Sequence, residues 1–407
     1  MQRKLAAIIL VLILLTACSI RQTEPVLPRG QTLAQLHLAQ NGAGEHLCAW
    51  IPYFTVTDLC QSGDEEICRA AVSDYLEKAS TYGITDIFLH VCAFGESFYP
   101  SDYYPPVPEA NGLDLMRIFS DICPRFGMAL HAWINPLRLQ TPDRLDHLTG
   151  DQRLAAWYRA PQTKAGNLSL WAGRYYLNPG QPAVRDFLAG VVRELVERYQ
   201  PAGVHIDDYF YPTLDERFDA AIFQQSGAQS LHEWRVENIS QTVQGMYRAA
   251  HETVDDTAFS ISPQGKPEVN REELCADVLR WLREPGFCDV LMPQIYFGYR
   301  NELCPFTELL EQWRTFPRDS AVELIPGLAA YKAGQADLYA GDGQAEWQND
   351  PSVLARETAQ VLAAEEFSGA AFYHLDALLG LPKAEQSSLR ETLRAFSADD
   401  APTRTGT

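Results

Sequence analysis

Two adjacent carboxylates, Asp207 and Asp208, stand in "GVHIDDYFYP" (203–212), between an apolar run and three aromatic residues. Burying an unpaired carboxylate is unfavourable, so acids at the end of a strand-like run are either solvated in a cleft or held there for chemistry. With aromatic neighbours, no metal motif and no cofactor fingerprint, they point to acid/base work on an uncharged polar substrate. Glycoside hydrolysis makes that demand: one carboxylic acid protonates the leaving oxygen while a second carboxylate attacks or activates water. Neighbouring residues on a regular strand face opposite sides. Both acids can therefore share a site only if the chain leaves the strand at Asp208. Otherwise one of them orients its neighbour or bonds to backbone, and the second catalytic carboxylate is Glu96, in "FGESFYPS".

Several elements must position these groups. Strand-like runs occur at 48–54, 85–91, 128–134, 203–209, 258–263, 289–295, 322–331 and 369–375, with amphipathic segments between them. In "QPAVRDFLAGVVRELVERYQ", Val184, Phe187, Leu188, Val191, Val192, Leu195 and Val196 recur at helical spacing behind Pro182. In "NDPSVLARETAQVLAAEEF", Asp350 is the expected N-cap. Strands alternating with helices in this number predict an α/β fold, a single-domain (β/α)8 TIM barrel over 46–397. No glycine-rich phosphate turn follows the first strand, which weakens the doubly wound alternative. The stretch 136–180, after the third strand, is expected to form an extended excursion over the barrel mouth.

In a barrel enzyme the site forms at the C-terminal strand ends. Those ends carry Glu96, Trp133, Asn135, His205, Asp207, Asp208, Gln294, Tyr296, Tyr331, Tyr373, His374 and Asp376, whereas the strand starts look nearly bare of such groups. Trp133, Tyr209, Tyr296, Tyr331 and Tyr373 can stack on sugar rings or pack the barrel; Asn135 and Gln294 can exchange hydrogen bonds with hydroxyls. His205 fits a satisfied inward histidine as well as a substrate contact. Arg138 suits either an anionic substituent or an ion pair with a neighbouring acid.

The formal charge of −20 argues against nucleic acid and against charge-driven docking to anionic lipid. At the N-terminus, Arg3 and Lys4 precede "LAAIILVLILL" and then "LTAC", which ends at Cys18. An apolar core this short, followed by small residues, reads as a leader (1–17) rather than a span. It resembles a bacterial lipoprotein signal, which implies a lipidated Cys18, a polar tether over 18–45 and an exported, envelope-anchored protein. Residues 398–407 read as a disordered tail. Eight further cysteines form no CxxC and no Cys/His ligand cluster, so neither a zinc site nor any other metal or cofactor is expected.

The blocks "FLHVCAFGESFYPSDYYP", "HAWINPLR", "YYLNPGQPAVRDFLAGVVRELVERYQPAGVHIDDYFYP", "FSISPQG" and "VLMPQIYFGY" resemble the bacterial glycosyl-hydrolase-like TIM-barrel family (glycosyl hydrolase-like 10 type), often found as lipoproteins. The resemblance covers most of 48–376. It implies a (β/α)8 fold, a polysaccharide substrate such as peptidoglycan of the cell wall, and an active site around the end of the "HIDDYFYP" strand. The chain departs from the family's usual pattern at the first strand, where "HLCAWIPYF" replaces an Arg-Gly lead-in. It departs again near Cys92 and Glu96, where a basic residue and an aspartate are usual. The leading expectation is a lipid-anchored glycoside hydrolase; the alternatives are a non-catalytic glycan-binding lipoprotein on the same barrel and a solute-binding lipoprotein. The last would need two lobes and a hinge, against which the strand count speaks.

Overall fold

A computed structural model describes residues 46–396, apart from 146, 147, 149 and 162–165. The expected leader, tether with Cys18, and tail lie outside the described residues. The strands are β1 His46–Ile51, β2 Asp86–Cys92, β3 Ala129–Ile134, β4 Leu168–Trp171, β5 Arg174–Leu177, β6 Gly203–Ile206, β7 Ala258–Ile261, β8 Val290–Leu291, β9 Glu323–Leu324, β10 Gly327–Leu328 and β11 Gly369–Phe372. Nine of them form one sheet in the order β10-β11-β1-β2-β3-β6-β7-β8-β9, parallel throughout.

The two outermost segments of that order are halves of one strand. Only Ile325 and Pro326 separate β9 from β10. The Ile325 amide donates to Leu291 O (3.0 Å) on one side, and the Ala371 amide donates to Pro326 O (2.9 Å) on the other. A single run of chain thus joins both edges, and the sheet closes into the (β/α)8 barrel. One apolar core lies between strands and helices; a second, of Cys48, Trp50, Phe88, Trp133, Met292, Ile325 and Ala371, comes from alternate strand positions. Period-two alternation accounts for the split, one face meeting the helices and the other filling the barrel. The helix Pro182–Tyr199 starts at its proline, and all seven of its predicted core residues are fully buried.

Proline sets several boundaries away from the predicted ones. The first strand stops at Ile51, before Pro52, so Tyr53 and Phe54 open a helix, Tyr53–Leu59, instead of ending a strand. The run 289–295 keeps only Val290–Leu291 as ladder, with Pro293 beyond it, and 322–331 is interrupted at Pro326. Proline has no N–H to give to a neighbouring strand. Asp350 does not cap its helix directly. The helix begins at Val353, and Asp350 Oδ1 instead accepts from the amide (2.9 Å) and hydroxyl (2.6 Å) of Ser352. Cys60 and Cys68 form a disulfide, while Cys48, Cys92, Cys123, Cys275, Cys288 and Cys304 are buried thiols.

The strand starts are not bare. Asp86, at the start of β2, is hydrogen-bonded to His46 Nδ1 (2.8 Å) and His131 Nε2 (3.0 Å). Sequence separation hid this cluster, because its members come from three strands. Burial alone would raise the Asp86 carboxyl, but the bonds to His131 and His46 hold it well below the usual carboxylate range. With its folded pKa depressed, Asp86 contributes stability that is present above its unfolded pKa, about pH 4, and is lost as pH falls toward the folded value. Asp86→Asn is expected to lower the unfolding free energy at pH 7 by roughly 3 kcal/mol and to reduce the acid sensitivity of stability. Urea unfolding of both proteins between pH 7 and pH 3 measures the two effects.

Candidate active site

Alternation along the barrel strands carries one inward residue from each of five strand ends into a common layer. Asn135 follows β3, Asp207 follows β6, Gln264 follows β7, Gln294 follows β8 and Tyr373 follows β11. Asp207 is 2% exposed. Its carboxylate accepts from Trp133 Nε1 (3.1 Å) and from the Tyr209 amide (3.3 Å), with Asn135 Nδ2 at 3.5 Å.

Asp208 would point out of the barrel if β6 continued. The strand ends at Ile206, however, and the Phe210 amide turns back to Asp208 O (2.9 Å). The half-buried Asp208 carboxylate therefore reaches the other side of the mouth, where Gln264 Nε2 and Gln294 Nε2 (3.1 Å) both donate to it. The two acids share the mouth and are held from opposite sides, Asp207 by β3 groups and Asp208 by the ends of β7 and β8.

Both acids are pushed up from the ordinary carboxylate range. For Asp207 the causes are burial and then the charge of Asp208, opposed by the Tyr209 amide and Trp133. For Asp208 the cause is burial, opposed by the glutamine amides and the charge of Arg138. Ionisation of one buried carboxyl opposes that of its neighbour, and Asp208, the less buried of the two and the one facing the glutamine amides and the Arg138 charge, is the better placed to carry the anion.

Rings close round the pair. Tyr296 and Tyr373 stack at 5.7 Å, and Tyr331 meets each edge-on at 6.0 Å. Tyr209 stands at the rim, 47% exposed. His205 lies beneath, one alternate position before Asp207, bonded to Ser260 Oγ (2.8 Å), Ser262 Oγ (3.1 Å) and Trp50 Nε1 (3.0 Å). Burial, helped by His131 and His90, pulls it far below the usual histidine value, so it is a neutral, satisfied floor residue.

Glu96 is placed differently. It is buried, and its oxygens accept from Gln140 Nε2 (2.7 Å) and Arg144 Nε (2.8 Å); Arg144 also grips Glu109. Glu96 lines a cavity of about 310 Å³ with Tyr53, Phe54, Phe94, Gln140 and Arg144. This cavity adjoins the acid pair without containing it. Phe94 packs under Arg138, and Tyr53 lies 5.8 Å from His90, which stacks on Trp133 at 3.6 Å.

Sequence reading missed His90, Gln264, Tyr53, Phe94 and Arg174 at this mouth. Strand parity carried a signal for two of them, since His90 is an inward β2 position and Gln264 stands two past Ser262. Tyr53 depended on the chain leaving β1 at Pro52 for a helix, and Phe94 on where the loop after β2 turns, neither of which periodicity encodes. Among the described residues His46, Cys48 and Asp86 have donor atoms within 4.8 Å of one another and could accept a metal. They lie at the strand starts, the opposite end from the acids, with both Asp86 oxygens engaged by histidines.

The glycosyl hydrolase-like 10 profile matches residues 50–347. The chain belongs to the glycosyl hydrolase-like 10 family, and with it to the glycosidase type. It is 26% identical over 370 residues to the glycosyl hydrolase DigH of Escherichia coli K12, covering 83% of this chain and 82% of that one. It is 27% identical over 287 residues to the glycosyl hydrolase YngK of Bacillus subtilis 168, covering 63% and 54%. Among solved structures it resembles the alpha-L-fucosidase isoenzyme 2 from Paenibacillus thiaminolyticus, with TM-score 0.54 and 11% identity, covering 87% of this chain and half of that one. The alpha-amylase from Geobacillus thermoleovorans, complexed with acarbose, aligns with TM-score 0.50 and 11% identity over 86% of this chain and 77% of that one. At such identity the two structures bear on the fold alone, and both share the barrel.

Removing an amide that stabilises the Asp208 anion must raise that residue's pKa further. Gln294→Leu is therefore expected to move the carboxyl titration of the acid pair upward, read by carbon-13 NMR of labelled aspartate. An unmoved titration would show that Gln294 does not hold Asp208.

Proposed function

We propose that this protein is a glycoside hydrolase that cleaves glycosidic bonds in peptidoglycan or a related surface polysaccharide with Asp207 and Asp208. The observation that carries the reading is the acid pair itself: two adjacent carboxyls turned into one aromatic-walled mouth, Asp207 withdrawn from water beside Trp133 and Asp208 nearer the opening and met by two glutamine amides. A glycosidic bond needs a division of labour between two carboxyls. Asp207 supplies the proton to the leaving oxygen, and Asp208, nearer the opening, meets the sugar as the carboxylate. Trp133 and Asn135 orient Asp207, while Gln264 and Gln294 orient Asp208. Tyr209, Tyr296, Tyr331 and Tyr373 offer ring faces to the sugar. Glu96, with both oxygens committed to Gln140 and Arg144, pins the excursion after β3 to the mouth.

Location belongs to the same reading. Cys18 at the end of "LTAC" supports lipid attachment to the outer face of a bacterial membrane, and the Cys60–Cys68 disulfide suits an oxidising, extracytoplasmic compartment. Among the described residues no helix is long and apolar enough to cross a membrane.

Glycan release from purified wall and from peptide-free wall strands tests the function. Asp207→Asn and Asp208→Asn, each checked for folding, are expected to lose about 10²–10⁴-fold in rate. Wild-type activity should fall on the alkaline side as Asp207 gives up its proton and on the acid side as Asp208 acquires one, with Asp207→Asn removing the alkaline limb from whatever activity remains. Release unaffected by either change would sink the assignment. For the anchor, Cys18→Ser should abolish incorporation of labelled fatty acid and shift the protein from the membrane to the soluble fraction.

A further inference from the structure

Arg138 leaves β3 on the excursion over the mouth, and its guanidinium lies between two rings, 5.0 Å from the centre of Phe94 and 4.6 Å from that of Tyr209. Arg174, at the start of β5, lies over the same Phe94 ring at 4.8 Å. The hairpin brings them together, because Arg138 forms an antiparallel bridge with Tyr176 of that strand. Both side chains are half-buried. Arg174 Nη1 donates to Leu139 O (2.7 Å), and Arg138 bonds to the Tyr209 side chain. Among the described residues no carboxylate lies within ion-pair distance of either, although Glu96 and Glu109 nearby are both taken by Arg144.

This arrangement is electrostatically unfavourable as it stands. Burial and then the charge of Arg138 both pull Arg174 below its ordinary value, so the two cations are close enough to repel. Arg138 also acts on Asp208, beyond ion-pair distance. In a chain of 53 acids and 33 bases, two neighbouring cations at an aromatic rim without a close counter-charge are a local exception. The rings take up apolar contact with the guanidiniums, and each arginine has more N–H donors than the one bond it gives to Leu139 O or to the Tyr209 side chain, so both keep donors of the kind with which arginine takes a carboxylate in two parallel hydrogen bonds. A polymer carrying negative charge would be repelled by the protein at large, so a local pair of cations is also what lets it approach.

We infer that Arg138 and Arg174 form an anion subsite that takes the carboxylate of an acidic sugar residue next to the bond being cleaved. The inference rests on the glycosidase reading of the acid pair and names the substrate class for it. The carboxylate is either a lactyl ether on an amino sugar or a uronate; both present the same planar anion on a sugar ring. Arg138, fixed between Phe94 and Tyr209, makes the primary contact, and Arg174 adds charge behind it. A neutral glycan would leave both cations unanswered.

The test compares peptide-free wall strands, whose lactyl carboxylates are free, with the same strands after carboxyl reduction to alcohols. Uronate-containing oligosaccharides and N-acetylglucosamine oligomers serve as the second acidic and the neutral arm. Hydrolysis is followed as kcat/KM with wild type, and binding separately by calorimetry with the Asp208→Asn protein. Wild type is expected to favour a free-carboxylate form over its reduced form by roughly 10- to 100-fold, and that ratio should shrink as salt rises. Arg138→Met should bring the ratio close to one, and Arg138→Lys should restore part of it, since lysine returns the charge without the fork. Preference for wall strands over uronates, or the reverse, identifies the source of the carboxylate. Equal handling of free and reduced strands overturns the subsite even where both are hydrolysed, and the glycosidase reading then stands without it. Discrimination in binding with no hydrolysis by any form upholds the subsite and removes the hydrolase.

Discussion

Asp207 is withdrawn from water at the end of β6, and the mouth of the barrel is organised around that withdrawal. A carboxyl in such a position must be protonated, hydrogen-bonded or both. Here the Trp133 indole and the Tyr209 amide meet it, and the neighbouring Asp208 charge opposes its ionisation. Trp133 is in turn held by His90 stacked against its face, a contact 3.6 Å between ring centres. Its other neighbours follow from the same strand geometry, with His205 one layer down and Asn135 just past the end of β3.

The barrel interior beneath the acids is partly polar. His205 sits among Ser260, Ser262 and Trp50, and Phe88 is sandwiched against His131 at 4.4 Å. This stack runs from the Asp86 cluster at the strand starts to the acids at the strand ends. Polar groups so buried persist only when partners arrive from neighbouring strands. They make the floor stiff: moving Asp207 would require moving Trp133 and the histidines behind it. Stiffness at the floor contrasts with the rim, where Tyr209, Tyr53 and Phe54 are substantially exposed.

The excursion after β3 supplies what the barrel strands cannot. It brings Gln140 and Arg144 onto Glu96, and Arg138 and Arg174 onto Phe94, so the loop is tied to the mouth by charge on one side and by rings on the other. The acid pair belongs to the barrel, while Arg138, Gln140, Arg144 and Arg174 belong to the excursion. A barrel scaffold permits such a division, since loops can change without disturbing the strand layers.

Much of this is legible in the sequence. Strand runs alternating with amphipathic segments specify the barrel, because the two periods, 2 and 3.6, leave distinct imprints; the helix Pro182–Tyr199 buries the very residues its spacing marks. The acid pair and the convergence of Trp133, Asn135, Gln294, Tyr296 and Tyr373 at strand ends were also legible, since every parallel strand of a barrel delivers its C-terminus to the same face. Tertiary structure alone decided that Asp208 swings inward, because this depends on the chain leaving β6 after Ile206 and on glutamines arriving from β7 and β8. It alone tied Glu96 to Arg144, set Tyr53 on a helix, and brought Arg138 and Arg174 to one ring with no carboxylate within ion-pair distance among the described residues. Sequence records periodicity along the chain; which charge meets which, across loops with no period, is settled only when the strands close.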